Sequence, residues 1–410
     1  MRRTLILRPT LVALSALLVA GCQPGDANRP QPQQPAPVLD ADLSAGGLHA
    51  VAVGPDGSVW AWGDNDSGEL GLAGDDRAVP HKLTVPAARA AAPSELGSAT
   101  EPGAHTVVLG RDGQLYVTGD NSHGQLGMTG DDRLALSPIG GLEGVAAVTT
   151  GADFTVAIRT DGTAWAWGRN SFGQLGDGSV ADHEERVQVA GVKDFKAVSA
   201  GTHHVLGLRQ DGSVVAWGDN HTGQLGDGTT ENRDRPVTVR NLVGAVQVAA
   251  GGEHSAALKA DGTVWTWGDN DYGTLGNPAF DRKAEVKEPV QVEGLTGVVA
   301  VASGEDHLLA LKADGTVWAW GDNGLGQLGD GKAGFGTLVY TPTRVAGLEN
   351  VAKIAAGNGY SLAAKADGTV WAWGANGAGQ LGIGKTDFEP HALPVPVVGA
   401  DGQGQLRLAK

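Results

Sequence analysis

The feature that most constrains this chain is a stretch that returns from one end to the other. Its clearest copy is Asp261-Gly262-Thr263-Val264-Trp265-Thr266-Trp267-Gly268-Asp269-Asn270, closed by Gly273-Thr274-Leu275-Gly276. Copies begin at Asp56, Asp112, Asp161, Asp211, Asp261, Asp314 and Asp367, in steps of 56, 49, 50, 50, 53 and 53 residues. Recurrence at roughly fifty residues marks a repeat fold, in which each unit buries its apolar faces only against its neighbours.

Within a unit the chemistry is that of a hairpin. Asp-Gly supplies positive φ at little cost, and the apolar runs on either side alternate at the two-residue period of a strand. In Val264-Trp265-Thr266-Trp267 the two tryptophans share one face and Val264 and Thr266 the other, so each sheet has a wide face and a narrow one. The fifth unit predicts four strands: residues 245–251, Ser255 to Lys259, Val264 to Trp267, and Pro289 to Val292. Four strands per unit, stacked wide face on narrow face around an axis, is an all-β seven-bladed propeller spanning residues 38–410. No sustained helical period appears in it, and the alanine run Ala87 to Ala92, between Pro86 and Pro93, is too short for a helix. The folded region starts near Leu43-Ser44-Ala45-Gly46 and ends with Pro394-Val395-Pro396-Val397-Val398, so the C-terminal strand is expected to complete the blade that the N-terminal strands begin.

Residues 1–21 read differently. Arg2 and Arg3, a short apolar run from Leu11 to Ala20, and small residues before Cys22 resemble a bacterial lipoprotein signal peptide, which implies a lipid on Cys22 after cleavage. Residues 22–37 are rich in proline and read as an extended tether. Gln23 after the cysteine favours the outer membrane by the same resemblance. Cys22 is the only cysteine, so no disulfide forms within the chain. After removal of Arg2, Arg3 and Arg8, 27 basic residues face 46 acidic ones, a balance that repels nucleic acid.

The pattern Ala-Gly-x-x-His-Ser-x-Ala-Leu, then Asp-Gly-x-Val-Trp-x-Trp-Gly-x-Asn-x-x-Gly-Gln-Leu-Gly, then Pro-Val-x-Val resembles the regulator-of-chromosome-condensation (RCC1) repeat. All seven units keep the asparagine, at Asn65, Asn121, Asn170, Asn220, Asn270, Asn323 and Asn376, and the closing Leu-Gly. Kelch units need a periodic diglycine that is missing, WD40 units are shorter, and sialidase boxes place a residue between Asp and Gly. Unit two departs most: Leu115-Tyr116-Val117-Thr118 lacks the tryptophan pair and Pro102 replaces a glycine, as in a loosened blade or a functional insertion.

The histidine column reads His49, His105, Phe154, His204, His254, His307 and Tyr360. Equivalent positions on separate blades lie too far apart for one ion, so these rings are expected to pack beside the Ala-Gly turns. Asp64-Asn65-Asp66 offers possible calcium ligands without the rest of an EF-hand loop. No metal site, cofactor or catalytic motif is assigned. The resemblance implies three activities: nucleotide exchange on a nuclear GTPase, ultraviolet sensing, and inhibition of β-lactamase through one rim. Export argues against the first, and the placement of all eleven tryptophans in core strands argues against the second.

The expected function is therefore non-enzymatic protein binding at the cell envelope by a monomer, with an envelope glycan or cell-wall hydrolase as the alternative. The partner-binding residues are sought in the variable loops after each Leu-Gly, which lie on one rim: Asp75, Asp131, Glu184, Phe280, Phe335, Tyr340 and Phe388. Aromatic rings ringed by charge are the usual anchors of a protein interface.

Overall fold

The computed structural model describes residues 39–95, 103–400 and 402–408. The signal-like segment, Cys22, the tether and Pro102 lie outside the described residues. Among those described, 28 strands form seven four-stranded antiparallel sheets, each a meander in chain order. The molecule is a seven-bladed propeller. Blade one comprises Asp42–Ala45, His49–Val53, Val59–Gly63 and Arg77–Lys82, and blade seven comprises Val351–Ala356, Tyr360–Lys365, Val370–Asn376 and Asp387–Pro396. The alanine run is no helix but the first strand of blade two, Ala88–Pro93.

Blade five shows how the repeat builds its sheet. His254 to Leu258 pair with Gly268 to Val264 around the Asp261-Gly262 turn, where Asp261 Oδ1 accepts the Thr263 amide at 3.0 Å. The register with the fourth strand slips between Thr266 and Gly268. Gly268 sits there at φ +99°, and a Cβ on it would lie 2.6 Å from the Glu253 carbonyl oxygen, so only glycine fits.

The wide face of each blade meets the narrow face of the preceding one. Trp267 is fully buried against Leu206, Leu208, Val214 and Ala216 of blade four, and its Nε1 donates to the Gln224 carbonyl at 2.8 Å. The other tryptophan, Trp265, is half-buried and lies under the Lys259 ammonium, 5.0 Å from the ring centre. Blade two is complete despite its weak pattern: Thr118 takes the place of the second tryptophan, and its hydroxyl lies 2.8 Å from the Gly68 carbonyl oxygen of blade one.

Ring closure differs from the expectation. The N-terminal strands and the C-terminal strand belong to separate sheets, so no blade is shared between the two ends of the chain. Blade one packs its wide face directly on blade seven: Trp62 Nε1 donates to the Gln380 carbonyl at 2.9 Å. The physical reason is that residues 42–45 already supply the inner strand of blade one and residues 387–396 the outer strand of blade seven, which leaves neither sheet short of a strand. The tail performs another task. At other junctions the Asp-Gly turn carbonyl accepts the amide that opens the next blade, as Gly262 does from Val298 and Gly315 from Val351. At the seam, Gly368 accepts the amide of Leu408, and Leu406 and Leu408 are buried in the seam core.

Candidate functional site

Antiparallel order puts the loops after the first and third strands on the same side of every blade, so they form one rim. The repeat asparagine pins the second of these loops. Asn65 Oδ1 accepts the Leu70 amide at 3.0 Å while its Nδ2 donates to the Leu72 and Gly74 carbonyls, and Asn121 repeats this in blade two; Asn170 and Asn220 likewise accept the Leu175 and Leu225 amides but donate to the Ser179 and Thr229 carbonyls and to the carboxylates of Asp177 and Asp227. The framework is thus satisfied internally, and its exposed positions, such as Asp66, Asp75 and Asp131, face outward.

The residues sought from sequence do not form one patch by a shared contact. Phe335 and Phe388 are exposed, with the Phe388 ring against Gly377. Phe280 is half-buried; Tyr340 is also half-buried, on the outer strand of blade six, where its ring lies over Gly273 of blade five. Asp75 and Asp131 are exposed at their loop tips. Glu184 borders a cleft of about 660 Å³ between blades two and three, together with Arg186, Trp165 and Met128.

What sequence reasoning missed is an acidic groove of about 340 Å³ on the same rim, across blades four to six. Glu253, Asp269, Asp271, Glu305 and Asp306 line it, with His203 and a Tyr272 ring that is 39 % exposed. Adjacent blades hold the walls together: the Gly252 amide donates to the Glu305 carbonyl at 3.1 Å. Burial, then the charges of Glu305, Asp322, Asp269 and Glu253, push the Asp306 carboxyl up to about 8. Burial, followed by neighbouring charge, also raises Asp269 to about 6 and moves Glu305 and Glu253 upward. Glu95 on blade two, pushed up to about 8 by burial and by Glu305 and Asp306, extends the same field. Like charges this crowded favour a proton or a cationic partner. The signal was present in sequence as Gly252-Glu253 and Glu305-Asp306 one repeat apart, but nothing in one strand pattern says that neighbouring loops meet.

The histidine column is structural. His49, His105, His204 and His307 place Nε2 within 2.8 to 2.9 Å of the hydroxyls of Thr106, Thr155, Ser255 and Ser361 on the next blade. Where the next blade lacks that hydroxyl, the column changes in step. His254 turns to Ser303 at 2.7 Å because Leu308 follows, Phe154 packs on Val205, and Tyr360 reaches past Ala50 to the His49 carbonyl at 2.6 Å. These rings are buried and neutral, and burial lowers the five histidines to about 3 or 4.

One group of possible metal ligands is present among the described residues, although the sequence assigned none. Asp64, Asp66 and Asp76 of blade one have carboxylate oxygens within 4.8 Å of one another. Asp76, brought back by the loop, is the member that linear spacing did not connect.

A ring of seven meander blades with Trp-to-carbonyl ties between neighbours, carrying its variable loops on one rim, defines a β-propeller of the repeat type described above. The RCC1-like domain family matches residues 16–346, and RCC1 repeats match residues 351–380 and 367–407. The chain belongs to the RCC1-like family, a membership that supports a binding or regulatory role. It is 36% identical over 123 residues to the probable E3 ubiquitin-protein ligase HERC6 of Homo sapiens, a stretch covering 30% of this chain and 12% of that protein. It therefore spans a small part of such relatives. Human WBSCR16 has a similar structure, with a TM-score of 0.71 at 24% identity over 83% of this chain and 94% of the other. Prp20p of Saccharomyces cerevisiae, described with its binding to Gsp1p and histones, gives a TM-score of 0.73 at 22% identity over 88% of each chain.

Proposed function

We propose that this chain is a non-enzymatic protein-binding propeller tethered to the bacterial cell envelope, and that its loop rim from blade four to blade seven grips a protein partner. The observation that carries this reading is the acidic groove of Glu253, Asp269, Asp271, Glu305 and Asp306 around an exposed Tyr272. Among the described residues, no Lys or Arg lines it, so its charge is left for a partner to neutralise. The groove fits a basic segment of a protein, while exposed Phe335 and Phe388 farther along the rim offer apolar anchors. The anchor at Cys22 and the tether to residue 37 would hold the ring at the outer membrane and let the rim reach a partner away from the lipid.

The test is affinity capture from envelope extracts with the immobilised chain, followed by titration of the recovered protein. A stoichiometric partner is expected whose binding weakens as salt rises. Phe335→Ala with Tyr340→Ala is expected to weaken binding by about 2 kcal/mol or more with folding intact. Recovery that is indifferent both to these substitutions and to Asp271→Asn with Glu253→Gln would move the site off this rim. Cys22→Ser should release the protein from the membrane fraction, and its retention there would refute the lipid anchor.

A further inference from the structure

Blade one departs from its siblings at one buried position. In blades two, four and six the glutamine before Leu-Gly makes two bonds. Its Oε1 accepts a loop amide, from His123, Thr222 and Leu325 at 2.9 to 3.0 Å, and its Nε2 donates to the aspartate that precedes the pinning asparagine. Those bonds are Gln125 to Asp120 at 2.5 Å, Gln224 to Asp219 at 2.9 Å and Gln327 to Asp322 at 2.7 Å. In blade one this residue is Glu69. Its Oε2 keeps the first bond, accepting the Ser67 amide at 2.9 Å. Its other oxygen, Oε1, stands in the place of the amide nitrogen, towards Asp64, where it can only accept.

Glu69 is 1% exposed, and among the described residues no donor reaches Oε1, whose polar neighbour is the Asp64 carboxyl. A carboxylate oxygen that meets no donor in the interior is strongly unfavourable unless a proton or a cation meets it. The neighbours worsen the cost. Asp64 is half-buried beside it, and Asp66 and Asp76 bring their oxygens within 4.8 Å of those of Asp64 and of each other. Asp76 Oδ1 is already used by the Asn65 amide at 3.1 Å, which fixes that carboxylate towards the group. Blade three supplies the converse case: there Arg169 replaces the aspartate, and the Gln174 amide is the atom left without a partner.

We propose that Asp64, Asp66, Asp76 and the buried Glu69 form a site for a hard divalent cation of calcium's class on the rim of blade one. All donors are carboxylate oxygens, the ligand set that calcium takes and that zinc and softer metals do not favour. Two ligands of one calcium, each about 2.3–2.6 Å from it, stand at most about 5 Å apart, a span that the three aspartates already satisfy. The three aspartates are the preformed part; Asp66, the exposed member, would be the last of them to engage, and Glu69 would join through Oε1 beside Asp64. Burial and the adjacent Asp64 charge push the Glu69 carboxyl up to about 8, and burial raises Asp64 to about 6, in keeping with a pocket built for a positive charge.

Calorimetric titration and thermal unfolding of the full chain after chelation test this directly. Calcium should bind at one ion per chain and raise the unfolding midpoint, with a smaller shift from magnesium at the same concentration. Glu69→Gln installs the amide that the other blades use. It should weaken calcium binding roughly tenfold or more, yet leave the chelated protein at least as stable as the chelated wild type. Asp66→Asn, on an exposed side chain, should weaken binding without unfolding the blade. A response to neither cation overturns the proposal, as does a calcium response unchanged in both variants. A larger magnesium response overturns the assignment to calcium. If instead the chelated wild type ignores calcium and loses stability from pH 6 to 8, and Glu69→Gln removes that loss, a shared proton holds the pair and the site is refuted.

Discussion

The junction between blades four and five joins consecutive stretches of chain, whereas the seam between blades seven and one joins its two ends. The interfaces are built alike: Trp267 and Trp62 are both fully buried, and each donates to a backbone carbonyl of the preceding blade. Their edges differ. At the ordinary junction His204 meets the Ser255 hydroxyl, and the Gly212 carbonyl takes the Ala245 amide from the continuing chain. At the seam Tyr360 replaces the histidine and Leu408 replaces the incoming strand. Closure here relies on packing plus a tail that imitates the missing connection, and not on a sheet shared between the ends. Such a seam is the place where the ring can open with no covalent connection to hold the two blades together.

Trp62→Ala should have the largest effect, about 3–5 kcal/mol for loss of a buried indole, with a drop in cooperativity as the ring opens. Trp267→Ala should cost a similar amount but unfold in one transition, because the chain still ties blade four to blade five. Equal cooperativity of the two variants in calorimetric unfolding would erase the distinction. Removing residues 399–410 takes Leu406 and Leu408 out of the seam core and should cost about 3 kcal/mol or more, with hydrogen exchange rising first in blades one and seven. A truncation that protects these blades as well as the full chain does would show that the tail is not a clasp.

The histidine struts predict an acid limit. Their folded pKa values, about 3 or 4, lie below the unfolded 6.5, so the unfolded chain takes up protons first. Stability is lost as pH falls from 6.5 towards 4, at up to about 1.4 kcal/mol per pH unit for each histidine. Asp306 runs the other way. Its folded pKa of about 8 is raised, so stability falls as pH climbs from 4 to 8, and Asp306→Asn should give a gain that grows over that range. Chemical unfolding across pH reads both slopes; a flat profile in the variant and the wild type alike would contradict the burial argument. The smallest effect is expected from Tyr360→Phe, about 1 kcal/mol for the bond to the His49 carbonyl, since Phe154 already fills the equivalent place in blade three without one. A cost well above that would mean that the seam depends on this hydroxyl.

The repeat period, the Asp-Gly turns and the alternation of Val-Trp-x-Trp were enough to read seven four-stranded blades from the chain alone. Turn geometry and strand period are local properties, set by φ preferences and by side chains two residues apart. The same local logic placed the variable loops on one rim and rejected the histidines as a metal site. The missed relations were those between neighbouring units. Sequence could have paired His49 with Thr106 or Phe154 with Val205 had each column been read against the next repeat. The rest required coordinates. Whether the ends share a blade depends on where the first strand begins, and Pro394 to Val398 reads the same in either topology. The acidic groove exists because the loops of blades five and six converge, and the crowding of Glu69 with Asp64, Asp66 and Asp76 exists because a loop folds back by ten residues. Charge repulsion acts through space, so only the tertiary structure could decide which of 46 acidic residues repel one another.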